Sequence, residues 1–350
     1  MKIQSYQPIK YSPIYFQANN NKGFNLRQLA RDVFQRTTTQ PDAVKQTGSE
    51  ISKKEIIAIY NEAFNFTLDH NPVMKKLDIQ KPKLTFVDLG NSDACYDFYS
   101  NTIKIGTKYN EDLYAYAGYD ENNELIGVGI ALKDTIDNGL LQLKAKADKF
   151  RVYKLNPDEK KLYIKSVLVH ELRHWTQEHL LASTKGCEEH IEYRLDLIKK
   201  MTKTYEEAIQ LCESSGYKER AKNFKAALKQ TATEYRYITN YKPKRILDED
   251  FTLRTSCSFL ENRYWSLKDH LLPASLCYKN SDDNEYKRNP IEIDAFNYQA
   301  EFLTDEQFSN RTKNIRDEVF VPMFLSSAIH GGVCLDNIVQ YGYPPLIVKD

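Results

Sequence analysis

The sequence predicts an α+β fold: a mainly helical body with a small mixed sheet, an inserted antiparallel helical hairpin and a helical layer on the N-terminal side. Three observations point there. Apolar residues recur at three- and four-residue steps over most of the chain, the helical period. Strand-like runs are confined to residues 84–132. The longest helical pattern opens on capping chemistry at Asn156-Pro157-Asp158-Glu159. The 350 residues suffice for one large or two ordinary domains. Residues 1–80 read as a flexible segment followed by an accessory helical layer, and 81–350 as the main domain, with the hairpin inserted at about 188–240.

Residues 1–23 are polar, Asn-rich and interrupted by Pro, which predicts a loosely attached start. Leu26, Leu29, Val33 and Phe34 give residues 24–36 a helical spacing. A stronger helix starts near Ser52, where Ile56, Ile57, Tyr60, Phe64 and Phe66 form an apolar stripe, and ends before Asn71-Pro72. LTFVDLG (84–90), NTIKIG (101–106) and ELIGVGIAL (124–132) read as strands, with Tyr114, Tyr116 and Tyr119 in irregular chain between the last two. The long helix then runs through Leu162, Tyr163, Val167, Leu168, Leu172 and Trp175 to about Ser183, and Lys185-Gly186 stops it. Ile191, Leu195, Ile198, Thr202, Tyr205, Ile209 and Cys212 make a further apolar series. Tyr217, Ala221, Phe224, Leu228, Thr231, Tyr235 and Ile238 repeat it after Ser214-Ser215-Gly216, so the two helices pair as a hairpin. Lys199, Lys200, Lys203, Lys222, Lys225 and Lys229 read as its solvated face. A helix over 257–271, another over 290–303, and a C-terminal stretch apolar enough to pack back on the body complete the reading.

Composition narrows the function. The 49 Lys and Arg nearly cancel the 48 Asp and Glu, so the charge balance argues against a nucleic-acid binder. No run approaches the roughly 18–20 apolar residues of a membrane span, and the first twenty residues lack the apolar core of a secretory signal. The six Cys are scattered and read as reduced thiols. A cytoplasmic protein without membrane attachment is the expectation.

The informative segment is SVLVHELRHWTQEHL (166–180), which holds His170, Glu171 and His174 as HExxH inside the long helix. Residues i and i+4 lie one above the other on a helix, so both imidazoles can reach one metal ion. Glu171 lies about 100° round the axis, placed to bond a metal-held water without being a ligand. Zinc with three protein ligands keeps a fourth position for water and lowers its pKa to near 7. Glu171 then takes the proton as the water attacks a carbonyl. HExxH arises by chance in roughly one chain in a hundred of this composition. Val167, Val169, Leu172 and Trp175 interleave the motif and mark the segment as buried, where His and Glu need partners.

This segment resembles the active-site helix of zincin metallopeptidases, and a small sheet followed by the motif helix is the order those enzymes use. The resemblance spans residues 84–183 in architecture and about a dozen residues in motif. The metzincin extension HExxHxxGxxH needs Gly at 177 and His at 180; Gln177 and Leu180 stand there. His179 lies about 180° round the helix from His170 and cannot join it. The gluzincin pattern takes its third ligand from a later helix, and Asn289-Pro290-Ile291-Glu292-Ile293-Asp294-Ala295 resembles its E-x-x-A segment, with Glu292 in the ligand place. Families with an Asp four residues after that ligand use it to orient a His; here the position is Phe296. Glu292 would equally serve as the N3 residue of a capping box. The alternatives are Glu192, Glu188, Glu189, Asp294 and the pair His330 and Asp336.

The resemblance therefore implies one Zn2+ per chain, bound by His170, His174 and Glu292, with Glu171 as general base and a peptide or protein as substrate. An endopeptidase is the expected activity. Tyr298 and His330 are the candidates for the donor that stabilises the oxyanion. Zincins hold substrate as an added strand on a sheet edge, and NTIKIG or ELIGVGIAL is expected to form it. The competing reading is a catalytically silent zinc-binding protein of the same fold that meets a protein partner through the hairpin.

Overall fold

The computed structural model describes residues 51–89, 92–123, 125–254, 264–276, 289–304, 312 and 315–323. The helix expected over 24–36 and the C-terminal residues from 324 onward, His330 and Asp336 included, lie outside them. The described chain is mainly helical with small mixed sheets, an α+β fold.

α1 (Lys53–His70) starts where Ser52 Oγ accepts from Glu55 N and Glu55 Oε2 accepts from Ser52 N, a reciprocal cap on two otherwise orphaned donors. Its buried face is Ile56, Ile59, Tyr60, Ala63 and Thr67, whereas Ile57, expected in the stripe, is 46% exposed. Asn71-Pro72 ends α1 and at once starts α2 (Pro72–Leu77), because proline fits the first turn of a new helix.

Two three-stranded sheets follow where one was expected. In the first, β1 (Lys83–Val87), β2 (Ala94–Asp97) and β3 (Thr102–Gly106) lie in the order β1-β3-β2, with β1 parallel and β2 antiparallel to β3. A side chain at Gly106 would meet Ser92 O at 3.0 Å and Asp93 O at 3.1 Å, so glycine lets the end of β3 close against the entry to β2. The second sheet is antiparallel, with β4 (Leu113–Tyr119) between β5 (Leu125–Leu132) and β6 (Lys149–Lys154). The tyrosines read as irregular chain therefore belong to a central strand. α3 (Leu141–Lys146) precedes β6.

α4 (Pro157–Ser183) is the axis of the molecule, 27 residues and so about 40 Å long. Asn156 Oδ1 accepts from Glu159 N and Glu159 Oε2 accepts from Asn156 N, with Pro157 in the first turn. It is buried nearly all round, as Leu168, Leu172 and Leu180 show with no exposed area. α1 packs along one side and α8 (Pro290–Thr304) along another, and β2 borders a third.

α5 (Glu189–Ser214) and α6 (Lys218–Asn240) pair as an antiparallel hairpin, and Gly216 supplies the positive φ of 75° that the turn needs. Its outer half has its own core of Tyr205, Ala208, Ile209, Cys212, Ala221, Phe224 and Ala227. Its base docks Ile198 and Ile238 on Phe98, just beyond β2. The helix expected over 257–271 is corrected where described: Tyr264–Ser266 is strand β8, paired with β7 (Thr252–Arg254). Helical chain starts only after Ser266, whose side chain accepts from Asp269 N and so caps the turn Leu267–Leu271 that leads into α7 (Leu272–Leu276).

Candidate metal centre

His170 and His174 stand one turn apart on α4 and turn the same nitrogen to one point, their Nε2 atoms 3.0 Å apart. α8 brings Glu292 to that point. Asn289 Oδ1 accepts from Ile291 N at 2.9 Å and fixes the helix entry. The Glu292 carboxylate then faces the imidazoles, with Oε2 3.3 Å from His170 Nε2 and Oε1 3.3 Å from His174 Nε2. Among the described residues these three form a cluster whose ligand atoms lie within 4.8 Å of one another; His170 and Glu292 are buried, and the His174 side chain keeps 14% of its area exposed. Bonds of about 2.0–2.1 Å to imidazole nitrogen and carboxylate oxygen set the ligand atoms of a tetrahedral zinc about 3.3–3.4 Å apart. Each imidazole nitrogen thus has a Glu292 oxygen at about the spacing a zinc ion requires, and the donor types suit zinc.

The electrostatics favour a cation at the same place. Burial pulls the His174 imidazole down, but the Glu292 carboxylate outweighs it and pushes His174 up to about 10. Burial likewise opposes ionisation of Glu292, yet the two imidazoles hold it well below the usual carboxylate range. Glu171 is raised, chiefly by burial, and the neighbouring imidazoles offset only part of that. Its Oε2 accepts from Tyr96 N at 2.6 Å, which fixes the carboxylate beside the cluster rather than in it.

The cluster opens on a cavity of about 600 Å³. Glu171, His174 and Glu292 form part of its wall, β2 contributes Ala94 through Asp97, and the hairpin contributes Arg194, Leu197 and Met201 from α5 and Gln230 from α6. The strand bordering the site is thus β2. NTIKIG is the middle strand of that sheet and ELIGVGIAL lies in the other, which corrects the expectation for both. β2 has only four residues, Ala-Cys-Tyr-Asp, without a β-branched residue to mark it.

The other candidates lie elsewhere. Glu188 pairs with Arg245, and Glu189 and Glu192 are exposed at the start of α5. Asp294 turns to Arg173, which binds it through Nε at 2.6 Å and Nη2 at 2.9 Å. Tyr298 is buried beneath the Arg173 guanidinium, 4.6 Å from its ring centroid, and its hydroxyl accepts from Asn71 Nδ2 at 3.3 Å. It does not line the cavity.

A second polar group lies one turn further along α4. His190 Nε2 is 2.8 Å from Glu178 Oε2 and His190 Nδ1 is 3.0 Å from Ser275 Oγ. The order Ser-His-Glu suits nucleophilic catalysis, but Ser275 has no exposed area and its hydroxyl cannot meet a substrate. Burial pushes Glu178 up, but Arg194 and His190 outweigh it and hold the carboxyl at about 2. That ion pair ties α5 to α4 at the rim of the cavity. Sequence reading assigned no role to Arg194, Tyr96 or Glu178. Glu178 was legible as the next residue on the His170–His174 face of the helix, four positions past His174. Arg194 and Tyr96 reach the site only through the tertiary fold. No protein-family model matches this chain, and neither does any curated protein or solved structure.

Proposed function

We propose that this chain is a zinc-dependent endopeptidase of the zincin type, with His170, His174 and Glu292 as the metal ligands and Glu171 as the general base. The observation that carries the reading is the convergence of two Nε2 atoms and one buried carboxylate at mutual distances of 3.0–3.3 Å, beside a second carboxylate held outside the cluster. Bound zinc would acidify a water and polarise the substrate carbonyl.

The chain's own groups do the rest. Glu171 accepts the water's proton and can return it to the leaving nitrogen. Its buried surroundings raise its basicity toward that task. Tyr96 N holds the carboxylate in place from β2. Since Tyr96 N turns away from β3, the outer edge of β2 faces the cleft, and an extended peptide laid along it would pair with main-chain groups other than Tyr96 N, which Glu171 occupies. Leu197 and Met201 of the hairpin also line the cavity and offer apolar contact to substrate side chains. The test is Glu171→Gln, assayed on an unstructured protein such as casein. The variant keeps zinc and loses at least a hundredfold in hydrolysis, the range of a lost general base. Cleavage at the wild-type rate would contradict the assignment.

A further inference from the structure

We infer that Gln177 is the positioning residue of the metal centre, and that it sets the direction of the His174 lone pair while tying the two ligand-bearing helices together. The inference rests on the zinc reading above. Gln177 stands three residues after His174 on α4, so the two side chains share a face. It is fully buried, and every polar atom of its amide has a partner. Its Nε2 donates to Asp294 Oδ2 at 2.7 Å and to Ile291 O at 2.9 Å, which uses both amide hydrogens. Oε1 is therefore the atom that meets His174 Nδ1 at 2.9 Å, and it can only accept. On giving up its second proton to a metal, His174 therefore keeps the one on Nδ1 and turns the Nε2 lone pair to the point it shares with His170 and Glu292, the tautomer a metal ligand needs.

The same amide grips the second ligand helix. Ile291 O belongs to the residue immediately before Glu292, and Asp294 follows two residues later, so Gln177 fixes α8 on both sides of the carboxylate. Asp294 is locked in turn by the two bonds from Arg173, and Arg173 Nη1 donates to Asn71 Oδ1 at 3.0 Å. Among the described residues none hydrogen-bonds to His170 Nδ1, and its ring packs on Phe296, centroids 4.7 Å apart. One histidine is oriented by packing and the other by a hydrogen-bonded chain that reaches the junction of α1 and α2.

The test compares zinc affinity, by chelator competition, in the wild type, Gln177→Met and Gln177→Glu, with thermal unfolding measured alongside. Methionine fills the same volume but accepts nothing useful from His174, whereas glutamate keeps the acceptor and adds a buried charge beside Asp294. A positioning role predicts zinc binding about 10–100-fold weaker in the Met variant and a clearly smaller loss in the Glu variant, which keeps the acceptor for His174 but not the donors to Ile291 and Asp294, with an altered visible spectrum of bound cobalt only in the former. A space-filling role predicts the reverse order. Wild-type affinity in the Met variant, or equal losses in both, overturns the inference. Where the Glu variant does not fold, Gln177→Asn replaces it: withdrawing the amide by one methylene weakens zinc binding if the inference holds, and leaves it unchanged if it fails. A wild type that binds zinc while these variants match it sinks the role of Gln177 alone; a wild type that binds none sinks the metal reading as well.

Discussion

His170, His174 and His179 share one helix and meet opposite surroundings. The first two face Glu292, whereas His179 is enclosed by Phe98, Trp175, Tyr96 and Tyr241, with Nδ1 2.7 Å from Tyr241 Oη and Nε2 3.2 Å from Tyr96 Oη. Burial pushes its imidazole down to about 3, so it stays neutral in the fold. The unfolded chain takes up a proton at this residue near pH 6.5 and the folded chain does not. The contribution of His179 to stability is therefore intact above pH 6.5 and is lost as the pH falls toward 3. Between pH 7 and 5 the loss is about 2 kcal/mol. Urea unfolding of chelator-treated wild type and His179→Gln measures it by difference, since His174, protonated in the folded chain throughout this window, adds the same opposing slope to both proteins. His179→Gln should flatten the dependence, and an equal slope in both proteins would contradict the assignment.

The hairpin behaves as an element with its own stability. Phe224 packs on Tyr205 within a cluster that α5 and α6 form between themselves, separate from the core around α4. Phe224→Ala should cost about 3 kcal/mol and speed hydrogen exchange of the hairpin amides on the order of a hundredfold. Exchange along α4 should be unchanged, because the hairpin opens as a local unit. Acceleration that spreads into α4 would show the two to be one cooperative block. Both hairpin helices were legible in the sequence, since apolar residues at helical steps and a Ser-Gly turn state the whole element locally. The start of α4 was legible for the same reason, because Asn156 and Glu159 cap it within four residues. β4 was hidden because Ala115, Ala117 and Gly118 have little intrinsic strand preference and are held only by β5 and β6 on either side. β8 was hidden because Trp265 and Ser266 acquire a strand role from β7 and a capping role from the turn that follows.

At the scale of the molecule, α4 gathers groups that sequence reading could name singly but not connect. On the proposed reading, HExxH supplies two ligands and a base within five residues. The choice of Glu292 over Asp294 depends instead on how α8 lies against α4, and Gln177 and Asp294, which fix that crossing, are 117 residues apart. Arg173 extends the connection to Asn71 in the N-terminal helices and to Arg254 O in β7, and its paired, fully buried charge holds these segments to one axis. The central claim is that this axis carries one zinc ion. Elemental analysis of purified, desalted protein tests it most directly, on the wild type and on His174→Ala in parallel. The account predicts about one zinc per chain in the wild type and almost none in the variant. Equal zinc in both, or none in a correctly folded wild type, would contradict it.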